Sequence, residues 1–184
     1  MPTVLEFVQA AKGLHEKLVR MMAEGLGLES EAFLRRLLTP EIRIRGKFYP
    51  LLPEGTEVGP NLPHSDPFAT TLLCDTASGL EVISADTWVQ VQSVPNGFIV
   101  NVGNQIEILS NGKFKSIRHR AGRNENKERL SLACFCSPEN DAVIAPLEEM
   151  LVNGQQPKYR TVRYADYFKS FVTKGVNECK ISEE

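Results

Sequence analysis

The chain is short of the residues and runs that would place it in several common classes. No apolar stretch in its 184 residues approaches the roughly 20 needed for a membrane-spanning helix. Lys and Arg (21) nearly balance Asp and Glu (23), and no block of like charge occurs, so neither a nucleic-acid partner nor a membrane surface is expected. The first residues lack the basic start and continuous apolar core of a secretory leader. The four cysteines, Cys74, Cys134, Cys136 and Cys179, form no CxxC pair, which argues against a zinc knuckle. They are expected as reduced thiols of a cytoplasmic protein, with Cys134 and Cys136 filling a core. There is no internal repeat and no low-complexity segment. Histidine is scarce, with three in the whole chain, so the position of each matters.

What is present divides into three parts: a helical segment over 1–40, a β-rich core over 41–138, and C-terminal helices with a tail over 139–184. Val4, Phe7, Val8, Ala11, Leu14, Leu18, Met21 and Met22 recur every three or four residues, which predicts a helix over 3–25 with the methionines inward. His15 lies on this helix with no metal-spaced partner and reads as a surface or packing residue. A shorter helix carries Phe33, Leu34, Leu37 and Leu38, with Ser30 as its N-cap and Thr39-Pro40 as its stop. From residue 41 the period shortens to two. Strands are expected at 41–49, 70–75, 80–84, 88–91, 98–102, 105–110, 115–119 and 129–136, separated by loop residues rich in Pro and Gly. Asn111-Gly112 reads as a hairpin turn and Pro95-Asn96-Gly97 as a tight turn. Pro146 opens a short helix, LEEMLV, and Thr161 caps a last one carrying Tyr164, Tyr167, Phe168, Phe171 and Val172. Many short strands with regular turns predict a mainly β fold with flanking helices, a barrel or a double-sheet jelly roll.

Two segments carry the candidate chemistry. Pro63-His64-Ser65-Asp66 places an imidazole and a carboxylate two residues apart, on one face if the segment is extended. The stretch 115–131 holds His119 and, further on, Arg129 and Ser131, also two apart. Two imidazoles and a carboxylate on one side of an ion, with open positions opposite, form a ligand set suited to non-haem Fe(II). A guanidinium offers a planar fork that matches a carboxylate, and a hydroxyl beside it adds a donor. Together the groups could hold a dicarboxylate by both ends. An HxD triplet or an Arg-x-Ser pair alone is common and carries little weight; their combination is more specific.

These residues, with Phe48-Tyr49-Pro50, TTLL at 70–73, GLEV at 79–82, Trp88, residues 98–120 and ERLSLACFCSP at 128–138, resemble the soluble, plant-type Fe(II)/2-oxoglutarate-dependent dioxygenases. The resemblance runs from about residue 14 to 171. It implies a double-stranded β-helix (jelly roll) with His64, Asp66 and His119 as iron ligands. It implies that Arg129 and Ser131 grip the distal carboxylate of 2-oxoglutarate, helped by Tyr49. Phe135, and more weakly Phe68 and Arg45, fall where such proteins meet substrate. The implied requirements are Fe(II), 2-oxoglutarate and O2, with ascorbate as an optional addition. The implied activity is hydroxylation, desaturation or demethylation of a small molecule such as a plant hormone or secondary metabolite. Lys47 and Asn104 depart from the family pattern, which has Asn and Asp there, and only local consequences are expected. Relatives carry a comparable stretch of chain ahead of the first helix, including sheet strands and part of the pocket. The alternative is therefore a truncated, catalytically impaired relative that acts as a binding or regulatory module. An exposed sheet face, self-association or a covering partner would follow.

Overall fold

Thr3 and Glu6 open the first helix reciprocally. In the computed structural model, which describes residues 3–53, 56, 59–124 and 126–174, α1 (Val4–Gly25) begins with a capping box. The Thr3 hydroxyl accepts from the Glu6 N–H while the Glu6 carboxylate accepts from the Thr3 N–H. Its buried line, Ala11, His15, Val19 and Ala23, advances by four residues each time. Met22 packs into the core, but Met21 is 57% exposed, so only one of the methionine pair fills space inside. The next helix, α2 (Ala32–Leu37), has no side-chain cap. The residue before it is Glu31, so Ser30 does not serve as N-cap. Leu38, at φ 59°, ends it.

The major sheet is antiparallel in the order β1-β7-β2-β5, built from β1 (Glu41–Tyr49), β2 (Thr70–Asp75), β5 (Ile99–Val102) and β7 (Arg129–Ser137). The minor sheet runs β4-β3-β6, from β3 (Leu80–Ser84), β4 (Thr87–Val91) and β6 (His119–Ala121). Alternation along the strands decides what each face of the major sheet meets. Ile42, Ile44, Leu72, Cys134 and Cys136 pack against Phe7, Ala11, Leu14 and Leu18 of α1. The intervening residues face the other sheet across a cleft. A second core gathers the end of α1, α2 and the C-terminal segment around Phe33, Leu37, Ile106, Leu109, Ile144 and Tyr164. Two sheets enclosing a cleft, with helices outside, make the double-stranded β-helix. No helix among the described residues is long and apolar enough to cross a membrane.

One expected strand is a helix. Residues 105–110 alternate apolar and polar, yet Asn104–Leu109 is helical (α3) and all six residues are buried. The polar members do not face water. Gln105 donates to the Pro67 carbonyl at 2.8 Å, and Glu107 accepts from Tyr159 and from the Ser116 N–H. Asn111-Gly112 then ends this helix rather than turning a hairpin. Both residues have positive φ, and Gly112 N–H reaches back to the Glu107 carbonyl at 2.8 Å while Asn111 N–H reaches Ile108. That is a Schellman closure, which uses the same left-handed residues as a type I′ turn. The strand expected at 115–119 is displaced as well, since β6 starts at His119.

The tight turn at Pro95-Asn96-Gly97 is present, with Gly97 N–H bonded to the Val94 carbonyl at 3.0 Å. The helix expected over LEEMLV is a single 3₁₀ turn, Glu148–Met150, followed by a second at Val152–Gly154. Thr161 does not cap the last helix, because β9 (Val162–Arg163) intervenes, paired with β8 (Val143–Ile144), before α4 (Tyr164–Lys174) starts. Cys179 and the tail expected at 176–184 lie outside the described residues.

Candidate metal centre and co-substrate cleft

His64 and His119 arrive from segments 55 residues apart in sequence and pair as an isolated antiparallel bridge. Each backbone N–H donates to the other's carbonyl, at 2.9 and 2.8 Å. The pairing sets the two rings side by side, their centroids 4.5 Å apart. Asp66 follows beyond the bridge, outside any strand, so the extended segment expected over 64–66 is one bridge residue long. Asp66 is held instead by α3, whose first N–H, from Asn104, donates to the Asp66 carbonyl at 2.8 Å.

The side chains are oriented as metal ligands would need to be. Nδ1 of His64 lies 2.9 Å from the Leu62 carbonyl, and Nδ1 of His119 lies 3.1 Å from the Ile117 carbonyl. A carbonyl can only accept, so Nδ1 carries the proton in both rings and Nε2 presents a lone pair. Those Nε2 atoms stand 3.9 and 3.6 Å from one oxygen of Asp66, Oδ1. The other oxygen, Oδ2, accepts a hydrogen bond from the Thr71 hydroxyl. One ligand atom from each of the three residues falls within 4.8 Å of the others. Burial is the main force lowering the His64 pKa, with the charges of His119 and Lys47 adding to it. The Leu62 carbonyl and Asp66 oppose the shift. The net direction favours the neutral imidazole, the form that binds a metal. The donor set of two imidazoles and one carboxylate fits Fe(II).

The cleft beside these residues has a volume of about 90 Å³ and opens to solvent. Its walls include every residue singled out from the sequence except Phe68: Tyr49, Arg45, His64, Asp66, His119, Arg129, Ser131 and Phe135. Phe68 stands behind Phe135, their ring centroids 4.6 Å apart. Arg129, Ser131 and Phe135 alternate along β7 toward the cleft, and Tyr49, Lys47 and Arg45 do so along β1. The register places Tyr49 opposite Arg129 and Lys47 opposite Ser131.

Arg129 is fully buried. Its Nε and Nη2 donate to Asp75, its Nε also to the Ala77 carbonyl, and its Nη1 to the Gly122 carbonyl. These bonds fix the plane of the guanidinium and use three of its five N–H groups, leaving two for a ligand. The Tyr49 hydroxyl is buried and has no partner among the described residues. A buried hydroxyl without a partner costs free energy unless something supplies one, and a carboxylate at this end of the cleft would. Ser131, 5% exposed, stands beside it.

Thr71, Asp75 and Lys47 were not identified from the sequence as parts of this site. Asp75 carried a signal: an acidic residue closing an apolar strand directly opposite Ser131. Thr71 carried a weaker one, because alternation from Leu73 puts it on the cleft side of β2. Lys47 was expected to matter only locally, yet it lines the cleft.

Comparison with known proteins matches residues 41–138 to the 2OG-Fe(II) oxygenase superfamily. The protein DMR6-LIKE OXYGENASE 1 of Arabidopsis thaliana is 41% identical over 170 residues, covering 90% of this chain and 48% of that protein. Mugineic-acid 3-dioxygenase of Hordeum vulgare is 33% identical, covering 88% of this chain and 48% of that protein. A crystal structure of JOX2 with 2OG, Fe and JA superposes with a TM-score of 0.80 at 35% identity, covering 91% of this chain and 52% of that one. The chain spans about half the length of the curated relatives it matches.

Proposed function

Because the chain belongs to the 2OG-Fe(II) oxygenase superfamily, we propose that it serves as the Fe(II)- and 2-oxoglutarate-binding core of an oxygenase. Its substrate would be a small molecule, a plant hormone or secondary metabolite, that is hydroxylated, desaturated or demethylated. The supporting observation is a single cleft with two complementary ends. His64, Asp66 and His119 present three ligand atoms at one end, and Arg129, Ser131 and the unpartnered Tyr49 hydroxyl present donors at the other.

In this reading the Nδ1 bonds of both histidines hold their Nε2 lone pairs toward the ion, and Thr71 keeps Oδ1 of Asp66 free to bind it. Arg129, pinned by Asp75, takes one carboxylate of 2-oxoglutarate in its remaining donors, with Ser131 and Tyr49 alongside. Holding that end fixes where the 2-oxo acid end meets the metal. Fe(II), when bound, supplies the O2 chemistry that couples loss of CO2 from 2-oxoglutarate to oxidation of substrate, leaving succinate. Phe135, backed by Phe68, offers an apolar wall to the substrate, and Arg45 stands over the Phe135 ring. The expected setting is the cytoplasm, with neither nucleic acid nor membrane as partner.

Anaerobic titration of 2-oxoglutarate into the Fe(II)-loaded chain tests the reading. A saturable visible absorption band is expected, and His119→Ala should lack it. No band in the parent chain, with iron demonstrably bound, would overturn the assignment.

A second reading has its own observation. On β1, the outer strand of the major sheet, Phe48 is 60% exposed and its cross-strand neighbour Leu130 is 53% exposed. A chain with that face uncovered would self-associate or take a partner, and would act as a binding module with impaired turnover. Sedimentation, together with succinate measured against oxidised product, separates the two. A monomer with one-to-one coupling rules out the second.

A further inference from the structure

Two ligand-bearing segments of the metal centre are fastened to one short helix. The first N–H of α3 holds the Asp66 carbonyl, and Gln105 holds the Pro67 carbonyl beside it. From the same helix Glu107 reaches the other segment. One of its oxygens, Oε2, accepts from the Ser116 N–H at 2.7 Å, and the other, Oε1, accepts from the Tyr159 hydroxyl at 2.8 Å. Tyr159 is brought there by Asn111, whose side chain holds the Gln156 carbonyl at 3.1 Å and the Lys158 N–H at 2.8 Å. Lys115 supplies a counter-charge at 3.8 Å. The Glu107 carboxylate is buried, a costly state for a charge, and the bonds it accepts offset that cost.

The segment that Glu107 holds has a task at the metal centre. Residues 115–118 belong to neither helix nor strand. Within them the Ile117 carbonyl accepts from Nδ1 of His119, and so decides which ring nitrogen faces the metal site. Glu107 fastens the residue immediately before it. The backbone next to His119 is fixed separately, by the bridge to His64 and by β3, where the Ile83 N–H meets the Arg118 carbonyl at 3.0 Å. Loss of Glu107 would therefore leave His119 in place and release its supporting carbonyl. The His64 ring does not share this dependence. Its Leu62 carbonyl lies in a segment fastened by the Asn61 N–H to the Ala121 carbonyl at 2.9 Å.

Resting on the reading of His64, Asp66 and His119 as metal ligands, we propose that Glu107 is a positioning residue for the metal centre. It holds Ser116 so that the Ile117 carbonyl keeps the His119 imidazole in its metal-binding orientation. It touches neither the metal nor the co-substrate, and its effect falls on one imidazole of the two.

Proton NMR of the Co(II)-loaded chain tests this, because the Nδ1 protons of two ligating imidazoles give two strongly shifted, solvent-exchangeable resonances. The parent chain should show both. Glu107→Leu should lose one to exchange with water and keep the other. Its Co(II) and Mn(II) affinities, read by competition with a metal-sensitive dye, should fall about tenfold, the lower end of what a supporting hydrogen bond contributes. Glu107→Gln should restore both readouts, since an amide can accept from Ser116 with its oxygen and donate to the Tyr159 oxygen with its nitrogen. If Glu107→Leu does not fold, Glu107→Asp carries the same test, because it keeps the charge on a side chain one methylene shorter that cannot span both donors. Failure of both to fold would make Glu107 a packing residue and overturn the proposal. So would two intact resonances with parent-like affinity in the variant that folds, or equal loss of both resonances. A parent chain that shows no shifted resonances overturns the metal-centre reading itself, so the two failures are distinct.

Discussion

Tyr49 and Arg129 oppose each other across β1 and β7, and the guanidinium carbon of Arg129 lies 4.9 Å from the centre of the Tyr49 ring. The cation is thus stacked on one side and tied in its own plane by Asp75 and two backbone carbonyls. Asp75 is the partner whose loss would expose the cost. Removing one member of a buried ion pair typically costs about 3–5 kcal/mol. For a chain of this size that corresponds to a fall in Tm of at least about 6 °C. Asp75→Ala should show that fall by circular dichroism, and 2-oxoglutarate should bind more weakly because the guanidinium is no longer fixed. An unchanged Tm would mean the pair does not form in solution.

Thr71 acts on the metal centre through Asp66 alone. Its hydroxyl donates to Oδ2, and the residue is 3% exposed, so Thr71→Val keeps the shape and removes the bond. Supporting hydrogen bonds of this kind are worth about 10- to 100-fold in metal affinity. Competition with a metal-sensitive dye should show that weakening for Fe(II) or Mn(II), with little change in the far-ultraviolet spectrum. Equal affinity in both proteins would show that Asp66 needs no second partner.

His15 gives the protein a pH-dependent stability that has nothing to do with the metal centre. It is fully buried in α1, its Nδ1 is 2.8 Å from the Thr70 hydroxyl, and its Nε2 has no partner among the described residues. Burial first, and the Lys12 charge second, lower its pKa from 6.5 to about 4. The folded value lies below the unfolded one, so folding favours the neutral ring. That contribution is complete above pH 6.5 and is lost as pH falls toward about 4. The gap corresponds to roughly 3 kcal/mol. Urea unfolding between pH 7.5 and 4.5 should show this slope in the parent chain, and His15→Leu should flatten it. A slope that persists in the variant would assign the effect to other groups. Metal affinity at pH 7.5 should be the same in both.

The same histidine shows where reading the sequence stopped. A helical period put His15 on α1 but could not tell a packing residue from a surface one, because that depends on β2 lying over it. His64, Asp66 and His119 were legible because their residue types are scarce and their combination fits one kind of ion. Their route together was not legible. The expected strand over 64–66 is a single bridge, and Asp66 is anchored by a helix that alternation had presented as a strand. Polar residues at every second position mark a solvent face only when water is there. Gln105 and Glu107 are buried instead: the Gln105 amide donates to Pro67 while its carbonyl oxygen has no partner among the described residues, and Glu107 accepts from Tyr159 and Ser116. Asn111-Gly112 kept its local conformation and changed its meaning, since two left-handed residues can close a helix as readily as a hairpin. Alternation succeeded on β1 and β7, whose two faces meet different surroundings: α1 on one side and the cleft on the other.

Gly79 connects backbone sterics to the co-substrate end. It sits just before β3, and its N-terminal neighbours lead from the Asp75 that holds Arg129. A Cβ built on Gly79 would lie 2.6 Å from the Gly122 carbonyl oxygen and 2.7 Å from Cδ of Arg129. The first of these is backbone and cannot swing away, and it also accepts from Nη1 of Arg129. A methyl group here therefore pushes on both members of one hydrogen bond. Gly79→Ala should displace the guanidinium and weaken 2-oxoglutarate binding at least about tenfold, the equivalent of one lost charge-assisted bond. His64 and Asp66 lie on another segment, and His119, three residues before Gly122, is held by its bridge to His64, so Mn(II) affinity should stay within about twofold. Gly59 is the comparison, since no described residue lies within 4 Å of a Cβ built there. Gly59→Ala should leave both affinities unchanged. If Gly79→Ala binds 2-oxoglutarate as the parent does, the tight approach of Gly79 to Arg129 does not position the guanidinium.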